Sequence, residues 1–354
     1  MSPVSSETIV ACAEPKAMLD MFVQHIGKDH GIEFDTADDG DVFFEQSAFR
    51  VDFGLRPDGL SVRLSGPNET AISFLKEEVV EHVSEVDPKA AADIRWSGGR
   101  VDEGSHPENF RELTVLKSFE VFAGMQRVTL SFPGLDKVEG EGPHLRLLMP
   151  LERGRPPVWP VMAANGSPVW PDGKDKLHAR FVTIREARQE HSEIDIDIVI
   201  HAGGLISDWA TGAEPGSKVG AMGPAGMTSL PHAQRYLIAA DGTGLPAVAQ
   251  LLKRVGDQRD GDVIVAFPSS EVAAEYLPRT GLSVHVMDPA EFERELVPLV
   301  KEITDERVPD FAFFAGEFQN AQELRKHFKT VLGLDKTSQL STAFWRRGTA
   351  GFGS

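Results

Sequence analysis

The sequence predicts a multidomain protein with a small N-terminal α+β module, an antiparallel β-barrel, and a C-terminal α/β domain built on a doubly wound parallel sheet. Three observations predict this class. The chain has 354 residues, more than one hydrophobic core usually organises. Short β-type runs fill its middle, whereas strand-like and helical segments alternate in its last third. The first 105 residues carry 21 acidic and 9 basic side chains, which marks a separate acidic unit.

Composition restricts the class of function. The formal net charge of −18 argues against nucleic-acid binding, which needs a basic surface. The single cysteine, Cys12, excludes an internal disulfide and any site built from several cysteines. His25 and His30 do not share a helix face, so no metal site is predicted. There is neither an apolar run of the roughly 20 residues that span a bilayer nor a leader pattern, so we expect a cytoplasmic protein.

Residues 1–98 are predicted to form the α+β module. Apolar residues at helical spacing over 14–28 predict an amphipathic helix. The runs IEFDT, DVFFEQ, FRVDFG and LSVRLSG are typical of an antiparallel meander, and ISFLKEEVVEHVSEV predicts a second helix. The polar segment 99–110 is predicted to be a linker. We expect this module to dock on, solubilise or cover the other domains rather than to catalyse a reaction.

Residues 111–229 predict the barrel. RELTVLKSFEVFAGMQRVTLSF holds two β-runs split by a glycine, and further strands are predicted for PHLRLLMPLE, ARFVTIREA, EIDIDIVIHA and SKVGAMGPAG. Six or so short strands in this length indicate a closed antiparallel barrel. The Pro-rich, aromatic insertion RGRPPVWPVMAANGSPVWPDGKDK is expected to cover one rim of that barrel.

Residues 230–354 predict the α/β domain. Four apolar strands, RYLIAAD, GDVIVAFPS, LSVHVMD and PDFAFFAGE, each precede a helical segment. Strand–helix alternation with this period predicts an open parallel sheet with helices on both faces. The turn after the first strand then lies at the carboxyl end of the sheet, where doubly wound folds bind ligands.

The candidate site begins with RFVTIR, residues 180–185, in which two arginines flank a β-type run. A guanidinium binds phosphate oxygens bidentately, and the backbone of a strand can pair with the polar edge of a flat ring. By the two-residue period of a strand, Arg180 and Val182 face one side, and Phe181 and Thr183 face the other. Such a strand suits a flavin dinucleotide, which carries both a pyrophosphate and a tricyclic ring.

A glycine-rich turn, HAGGLISDWA, follows an apolar strand. Gly203 and Gly204 allow close backbone approach, and Ser207 supplies a hydroxyl. Ser207 or Asp208 is expected to cap the short helix that begins there, and a helix start favours a pyrophosphate. Trp209 has an alternative interpretation as a plug of the barrel.

Five blocks in this order resemble the siderophore-interacting proteins, which are FAD-dependent ferric-siderophore reductases of the ferredoxin-reductase type. The resemblance covers residues 111–347 and rests on RFVTIR, HAGGLISDWA, DGTGLPA, AGE and WRRG. The chain departs from the family pattern at Val182, where the family has tyrosine, and at Leu205–Ile206, where a proline precedes the serine. It also departs at Ala240, where the family has glycine, and at Gly242, where it has an acidic residue.

The resemblance implies a set of residues for each ligand. The FAD contacts would come from Arg180, Phe181, Val182, Thr183, Arg185, His201, Gly203, Gly204, Ser207, Trp209 and Ala210. The NAD(P)H contacts would come from Asp241, Gly242, Thr243, Gly244, Leu245, Pro246, Gly316, Glu317 and Trp345. A basic patch for an anionic ferric chelate would include Arg153, Arg155, Lys174, Lys176, His178, Arg346 and Arg347. Glu317 has an alternative interpretation as the cap of a helix beginning at Asn320.

The function that this resemblance implies is reduction of a ferric siderophore by NADH or NADPH through FAD, with release of Fe(II) in the cytoplasm. Two alternatives stay open. One is a flavoreductase with a different acceptor, such as free flavin, ferric citrate or a small iron–sulfur protein. The other is a non-catalytic protein that binds flavin or siderophore.

Overall fold

The computed structural model describes residues 3–29, 34–46, 49–98, 103–138, 140, 142–152, 154–226, 230–256 and 258–349. His30 and Arg153, both considered above, lie outside these residues. The chain forms two compact units. The first contains Met1–Phe110 and Val158–Lys176, and the second contains Arg111–Pro157 and Leu177–Ser354.

The N-terminal part of the first unit is an antiparallel sheet covered by helices. Its elements are β1 (Val4–Val10), α1 (Pro15–Asp29), β2 (Asp35–Thr36), β3 (Val42–Gln46), β4 (Phe49–Arg56), β5 (Gly59–Gly66), α2 (Glu69–Val86) and α3 (Pro88–Asp93). The strand order is β1-β5-β4-β3-β2. Phe53 and Val62 on the sheet pack with Phe22 of α1 and Val83 of α2 in one buried cluster. The predicted α+β class is confirmed, with one strand, β1, that the sequence analysis did not predict.

The middle of the chain contains the barrel. Its elements are β6 (Phe110–Phe122), β7 (Met125–Ser131), β8 (His144–Pro150), β9 (Val161–Met162), β10 (Pro168–Val169), β11 (Leu177–Arg188), β12 (Glu193–Val199), α4 (Leu205–Thr211) and β13 (Lys218–Ala225). Six of these strands close into a barrel in the order β11-β12-β7-β6-β13-β8. Leu130, Leu147, Val182 and Ile196 are among the side chains that fill it. The predicted closed antiparallel barrel is confirmed.

The insertion between β8 and β11 was expected to cover a rim of the barrel. Its residues 158–176 fold into the first unit, together with residues 1–110, and covering of the rim stays a prediction. They form the two-stranded hairpin β9–β10, in which Val161 pairs with Val169. The sequence could not show this, because the partners of the hairpin lie more than fifty residues away along the chain.

The last third is a parallel sheet with helices on both faces. Its elements are β14 (Arg235–Ala240), α5 (Leu245–Val255), β15 (Asp260–Ala266), α6 (Ser270–Tyr276), β16 (Ser283–Met287), α7 (Pro289–Glu306), β17 (Phe311–Glu317), α8 (Phe318–Thr330) and β18 (Gln339–Trp345). The strand order β16-β15-β14-β17-β18 reverses direction at β14, as in doubly wound folds. Helices α5 and α6 pack on one face, and α7 and α8 on the other. The predicted class is confirmed, with β18 as an additional edge strand.

Buried polar contacts join the barrel to this sheet within the second unit. Asp197 on β12 accepts hydrogen bonds from Arg127 Nε and Nη2, both at 2.7 Å, and from the hydroxyl of Tyr276 at 2.7 Å. Gln250 on α5 donates to the carbonyls of Ile184 and Arg185 at 3.1 and 2.8 Å, where the pairing of β11 with β12 shifts register. These bonds satisfy carbonyls that an irregular strand pair leaves open.

Candidate functional site

The outer face of β8 and β11 forms the wall of the candidate site. Phe181 pairs with Arg146, and Thr183 pairs with His144, so these four side chains share one face of the barrel wall. Phe181 is 58% exposed, and the Arg146 guanidinium lies 6.0 Å from the centroid of its ring. The wall thus presents an exposed aromatic ring flanked by a cation.

Val182 lies on the opposite face of the strand. Its side chain is 8% exposed and belongs to the barrel core. The position that is tyrosine in the resembling family is therefore a core position in this chain, and only the Val182 backbone can contact a ligand. The one exposed aromatic side chain of β11 is its neighbour Phe181.

Arg180 is a half-buried guanidinium with no carboxylate of a described residue within 4 Å. Among the described residues, its one hydrogen bond runs from Nη1 to the carbonyl of Ala179 at 3.3 Å. Burial lowers the pKa of Arg180. Burial also lowers the pKa of the half-buried His178, and the charge of Arg180 lowers it further. An anion bound here would offset the cost of burying this charge.

Arg185, the second arginine of the run, is occupied within the protein. Its side chain is 11% exposed. Its Nη2 donates to the carbonyl of Tyr276 at 2.8 Å, and its guanidinium lies 4.9 Å from the centroid of the Tyr276 ring. Arg185 therefore joins β11 to the end of α6, and its expected contact with FAD would compete with these bonds.

The turn after β12 leads into α4 in a way that corrects the predicted cap. The N-cap of α4 is Gly204, and no side chain caps the helix. The buried Ser207 hydroxyl instead donates to the Val199 carbonyl at 3.1 Å and accepts the His201 N–H at 3.2 Å. Ser207 is therefore bonded within the turn, because its side chain points back at the strand end.

The two glycines of that turn have different requirements. Gly203 has a φ of +75° with open space around its Cα, so the backbone conformation alone favours glycine. Gly204 would place a Cβ 2.5 Å from Cε1 of the His201 ring. Trp209 packs against the barrel core and Ala210 is buried in it, which agrees with the interpretation of Trp209 as a plug.

Asp241 organises the turn that follows β14. Its Oδ1 accepts the Thr243 N–H at 2.8 Å and the Thr243 hydroxyl at 2.5 Å, and its Oδ2 accepts Trp345 Nε1–H at 2.7 Å. Burial raises the pKa of this carboxyl, while the bonds from Thr243 and Trp345 oppose that change. A Cβ on Gly316 would lie 2.5 Å from Asp241 Oδ2. The turn is thus fixed to β17 and β18.

The remaining residues of this turn belong to the start of α5. Its N-cap is Gly244, and a Cβ there would lie 2.6 Å from the Ala315 carbonyl oxygen. Leu245 and Pro246 form the buried first turn. A Cβ on Gly242 would lie 3.2 Å from Val199, so this turn approaches the end of barrel strand β12.

Glu317 is the cap of α8, which begins at Phe318 rather than at Asn320. Its Oε2 accepts the Gln319 N–H at 2.5 Å, and its Oε1 accepts the Arg347 N–H at 3.2 Å. Glu317 therefore serves α8 and the C-terminal tail together, as its alternative interpretation proposed. Any contact with a nicotinamide cofactor would be additional.

The basic residues expected to bind an anionic chelate have different local partners and belong to both units of the chain. Arg346 lies 4.6 Å from the centroid of the Phe318 ring, and Arg347 forms an ion pair with Glu293 at 2.6 Å. Arg155 Nη1 lies 3.3 Å from Glu152 Oε2. The exposed Lys174 and Lys176 belong to the first unit, whereas the three arginines belong to the second.

His144 and Phe344 are site residues that the sequence analysis missed. The His144 ring lies 6.1 Å from that of Phe344 on β18, at 89°, and its Nδ1 lies 3.2 Å from Thr183 Oγ1. Burial lowers the pKa of His144, which favours the neutral ring. These contacts bring the barrel wall to the edge of the parallel sheet. The alternation in HLRLL, with His144 and Arg146 on one face, was the available signal.

Two family models match the chain. The model described as a siderophore-interacting FAD-binding domain matches residues 114–228. The model described as siderophore-interacting protein matches residues 233–348. The matches begin near the start of the barrel and end in the tail after β18.

Curated relatives include two reductases. The chain is 34% identical over 147 residues to the NADPH-dependent ferric-chelate reductase of Escherichia coli, covering 41% of this chain and 56% of that protein. It is 25% identical over 248 residues to the ferric vibriobactin reductase ViuB of Vibrio cholerae, covering 67% of this chain and 90% of that protein. The first alignment therefore spans little more than half of the relative.

Solved structures share the fold of the barrel and parallel sheet. The siderophore-interacting protein SipS from Aeromonas hydrophila superposes with a TM-score of 0.57 at 26% identity, covering 68% of this chain and 93% of that one. A siderophore utilization protein from T. fusca gives 0.56 at 22% identity, with coverages of 71% and 97%. No helix in the described ranges has the length and hydropathy needed to cross a membrane.

Proposed function

Because the chain belongs to the siderophore-interacting protein family and carries its FAD-binding domain, we propose that it is a cytoplasmic reductase that passes electrons from NAD(P)H through FAD to the Fe(III) of a ferric siderophore. The relatives that carry reductase names support this activity. The residues of the chain provide binding and orientation, and the proposal assigns no general acid or base.

The observation that carries the proposal is the guanidinium of Arg180, which forms no ion pair with a described residue. A half-buried arginine with a single long hydrogen bond to a carbonyl retains donors for an anion. Phosphate oxygens accept such donors in a charge-assisted, bidentate geometry. The residues present therefore fit a pyrophosphate at the beginning of β11, with the turn at Gly203, where nothing lies within 4 Å of a Cβ position, as a second contact.

The wall of β8 and β11, on the face of β11 opposite Arg180, is assigned to the flat ring of the same cofactor. Phe181 offers an exposed aromatic face, and Arg146 lies beside it. Thr183 is held by its hydrogen bond with His144. We assign to Phe181 and the backbone of Val182 the task of orienting the ring, and to Thr183 a polar contact at its edge.

The nicotinamide is assigned to the turn at Asp241–Gly244. This turn follows the central strand β14 at the carboxyl end of the sheet, at the point where strand order reverses. Thr243 and Trp345 hold the Asp241 carboxylate, so the turn has a fixed shape before any ligand binds. The contact between His144 and Phe344 brings this edge beside the barrel wall.

When bound, FAD converts the two-electron hydride of a nicotinamide into two single-electron transfers, each of which reduces one Fe(III) to Fe(II). The chain's part is to align the two ligands and to exclude competing reactions. Fe(II) fits hard oxygen chelators less well than Fe(III), so release of iron follows its reduction. Arg346 and Arg347 are retained as candidates for contact with an anionic chelate, together with Arg155.

The direct test is an absorption spectrum of the purified protein, followed by anaerobic addition of NADH and of NADPH. We expect flavin absorbance that bleaches with one or both nicotinamides and returns on addition of a ferric siderophore. Return only with free flavin, ferric citrate or an iron–sulfur protein would support the alternative acceptors. A flavin that no nicotinamide bleaches would indicate a non-catalytic binding protein.

Replacement of Arg180 tests the site itself. Arg180→Ala removes charge-assisted hydrogen bonds, and the loss of even one costs about 1.5–3 kcal/mol, so we expect the Kd for FAD to rise at least about 10- to 150-fold. Fluorescence of released FAD measures this Kd. Arg155→Ala is the control, because it removes an exposed arginine that is paired with Glu152. Equal FAD affinity in the two variants would contradict the assignment of Arg180.

A further inference from the structure

The first unit is attached to the second at three places in the chain. The polypeptide passes between the units after Phe110, after Pro157 and after Lys176. The second and third passages delimit the β9–β10 hairpin, whose flanking strands are β8 and β11. The first unit is therefore connected directly to β11 and, through residues 151–157, to β8, and these two strands form the wall of the candidate site.

The hairpin is held by hydrogen bonds to the end of the N-terminal module. Trp96 Nε1–H donates to the carbonyl of Asn165 at 2.7 Å. Asn165 Nδ2 donates to the carbonyl of Ala91 at 3.0 Å. Both bonds join residues about seventy positions apart, so they fix the tip of the hairpin against the segment that follows α2.

The base of the hairpin is held by backbone pairing. Gly104 N–H donates to the Met162 carbonyl at 2.8 Å, and Met162 N–H donates to the Ser105 carbonyl at 2.7 Å. The Trp159 ring packs 5.6 Å from that of Phe110, and both residues are buried. The hairpin thus adds to the first unit as a short extra strand with its own buried aromatic side chain.

Close packing surrounds the tip of the hairpin. Gly166 has a φ of +81°, and a Cβ at this position would lie 2.9 Å from Cδ1 of Trp96 and 3.3 Å from Cδ of Lys76. Lys76 is itself 1% exposed, and its ammonium lies 5.8 Å from the centroid of the Trp96 ring. Any side chain larger than glycine must displace this packing.

These contacts change the entropy of the connection between β8 and β11. A free connection would extend from 151 to 176, whereas the hairpin contacts leave only 151–157 outside the first unit. Closing a flexible loop costs entropy that increases with its length. The pair that closes this end is Leu177 with Pro150, and Arg180 pairs with Leu147 only three residues further along. Fraying that begins at Leu177 would reach Arg180 before it reaches Phe181, Val182 and Thr183.

We propose that the N-terminal unit is an intramolecular clamp that orders the β8–β11 connection and thereby holds the end of β11 that carries Arg180. The surface of this unit around Trp96 binds a segment of the same chain, the hairpin within Val158–Lys176. The effect on FAD rests on the proposed function, whereas the effect on the order of β11 does not.

The test uses the full-length protein and two matched glycine variants. Gly166→Ala introduces a Cβ against Trp96 at a positive φ, whereas Gly40→Ala introduces one at a φ of +87° with nothing within 4 Å. Both carry a similar backbone penalty in the same unit, so their difference reports the contact with Trp96. Hydrogen exchange of the Leu177–Arg180 amides and the rate of FAD dissociation are measured for each.

We expect faster exchange of these amides and faster FAD dissociation in Gly166→Ala than in Gly40→Ala. Complete release of the hairpin lengthens the loop from 151–157 to 151–176. Loop-length scaling then predicts that exchange of these amides becomes faster by a factor of about 7. Limited proteolysis within 158–176 shows whether the hairpin is released. A released hairpin with unchanged exchange at Leu177–Arg180 would overturn the proposal.

A second variant is used if the hairpin of Gly166→Ala remains protected from proteolysis. Trp96→Phe combined with Asn165→Ala removes both side-chain hydrogen bonds at the tip. Continued protection in this variant would contradict the clamp. If the wild-type protein retained no FAD, the proposed function would fail, and amide exchange would still decide whether the clamp exists.

Discussion

Arg180 and Arg185 lie five residues apart on β11 and have opposite surroundings. Arg185 donates to the Tyr276 carbonyl and packs on the Tyr276 ring, whereas Arg180 bonds only to the Ala179 carbonyl within the part of the chain that the structure describes. One arginine is thus used for the stability of the protein, and the other is available to a ligand. The sequence presents both as arginines on a strand, so only their tertiary partners separate their roles.

This contrast predicts that replacing Arg185 lowers the stability of the protein, whereas replacing Arg180 weakens only ligand binding. In flavin-free protein, Arg185→Ala should lower the free energy of unfolding by about 1.5–3 kcal/mol, since a hydrogen bond from a buried charged group is lost. Arg180→Ala should leave that free energy close to the wild-type value, because it breaks only a 3.3 Å bond to a neighbouring carbonyl. Urea denaturation measures both. The assignment of roles would be wrong if the two variants showed the reverse order.

At the scale of single elements, alternation predicted the strands whose two faces differ. EIDIDIV became β12, with its isoleucines in the barrel core and its aspartates on the opposite face, where they are buried among polar partners. Apart from the short hairpin strands β9 and β10, two strands were missed, and their sequences lack this contrast. VSSETIV, now β1, is mostly polar, and its buried side chains include Ser6 and Thr8, while QLSTAFW, now β18, was assigned only to a terminal motif.

Strand β18 matters because it brings Trp345 to Asp241. Trp345→Phe removes the Nε1–H donor and leaves Asp241 Oδ2 without that bond, which costs about 1–3 kcal/mol. We expect loosening of the Asp241–Gly244 turn, a KM for NAD(P)H raised about fivefold or more, and unchanged retention of FAD. Steady-state kinetics with a ferric chelate measures KM and kcat separately. A lowered kcat with unchanged KM would argue against this turn as the nicotinamide site.

For the whole molecule, partly buried ion pairs in both units stabilise individual carboxylates. In the first unit, hydrogen bonds from Arg56 lower the pKa of Asp41, and burial opposes them. In the second, burial raises the pKa of Asp195, but Arg188 and Thr129 outweigh it, so the net pKa is lowered. Both carboxylates therefore stabilise the folded state when ionised.

The sign of the pH dependence follows from these lowered pKa values. The stabilisation is fully present above the unfolded value of about 4 and is lost as pH falls through the lower folded values. We expect the free energy of unfolding to fall below about pH 4. Urea denaturation at a series of pH values from about 2.5 to 6 measures this decrease. Asp195→Asn should reduce this slope for the second unit, and Asp41→Asn should do so for the first. Slopes identical to the wild type would contradict the buried pairs.

The three passages of the chain between the units have a consequence for cleavage of the backbone. A protease that cut once between 99 and 110 would separate the N-terminal segment covalently. It would leave that segment bound to its own hairpin, which stays part of the other fragment. The nicked protein would therefore sediment as a single particle under native conditions and dissociate into two pieces only in denaturant. In the same way, a protein truncated at this point would keep the hairpin without its N-terminal partner, and Trp159, which is buried in the intact protein, would be exposed to water.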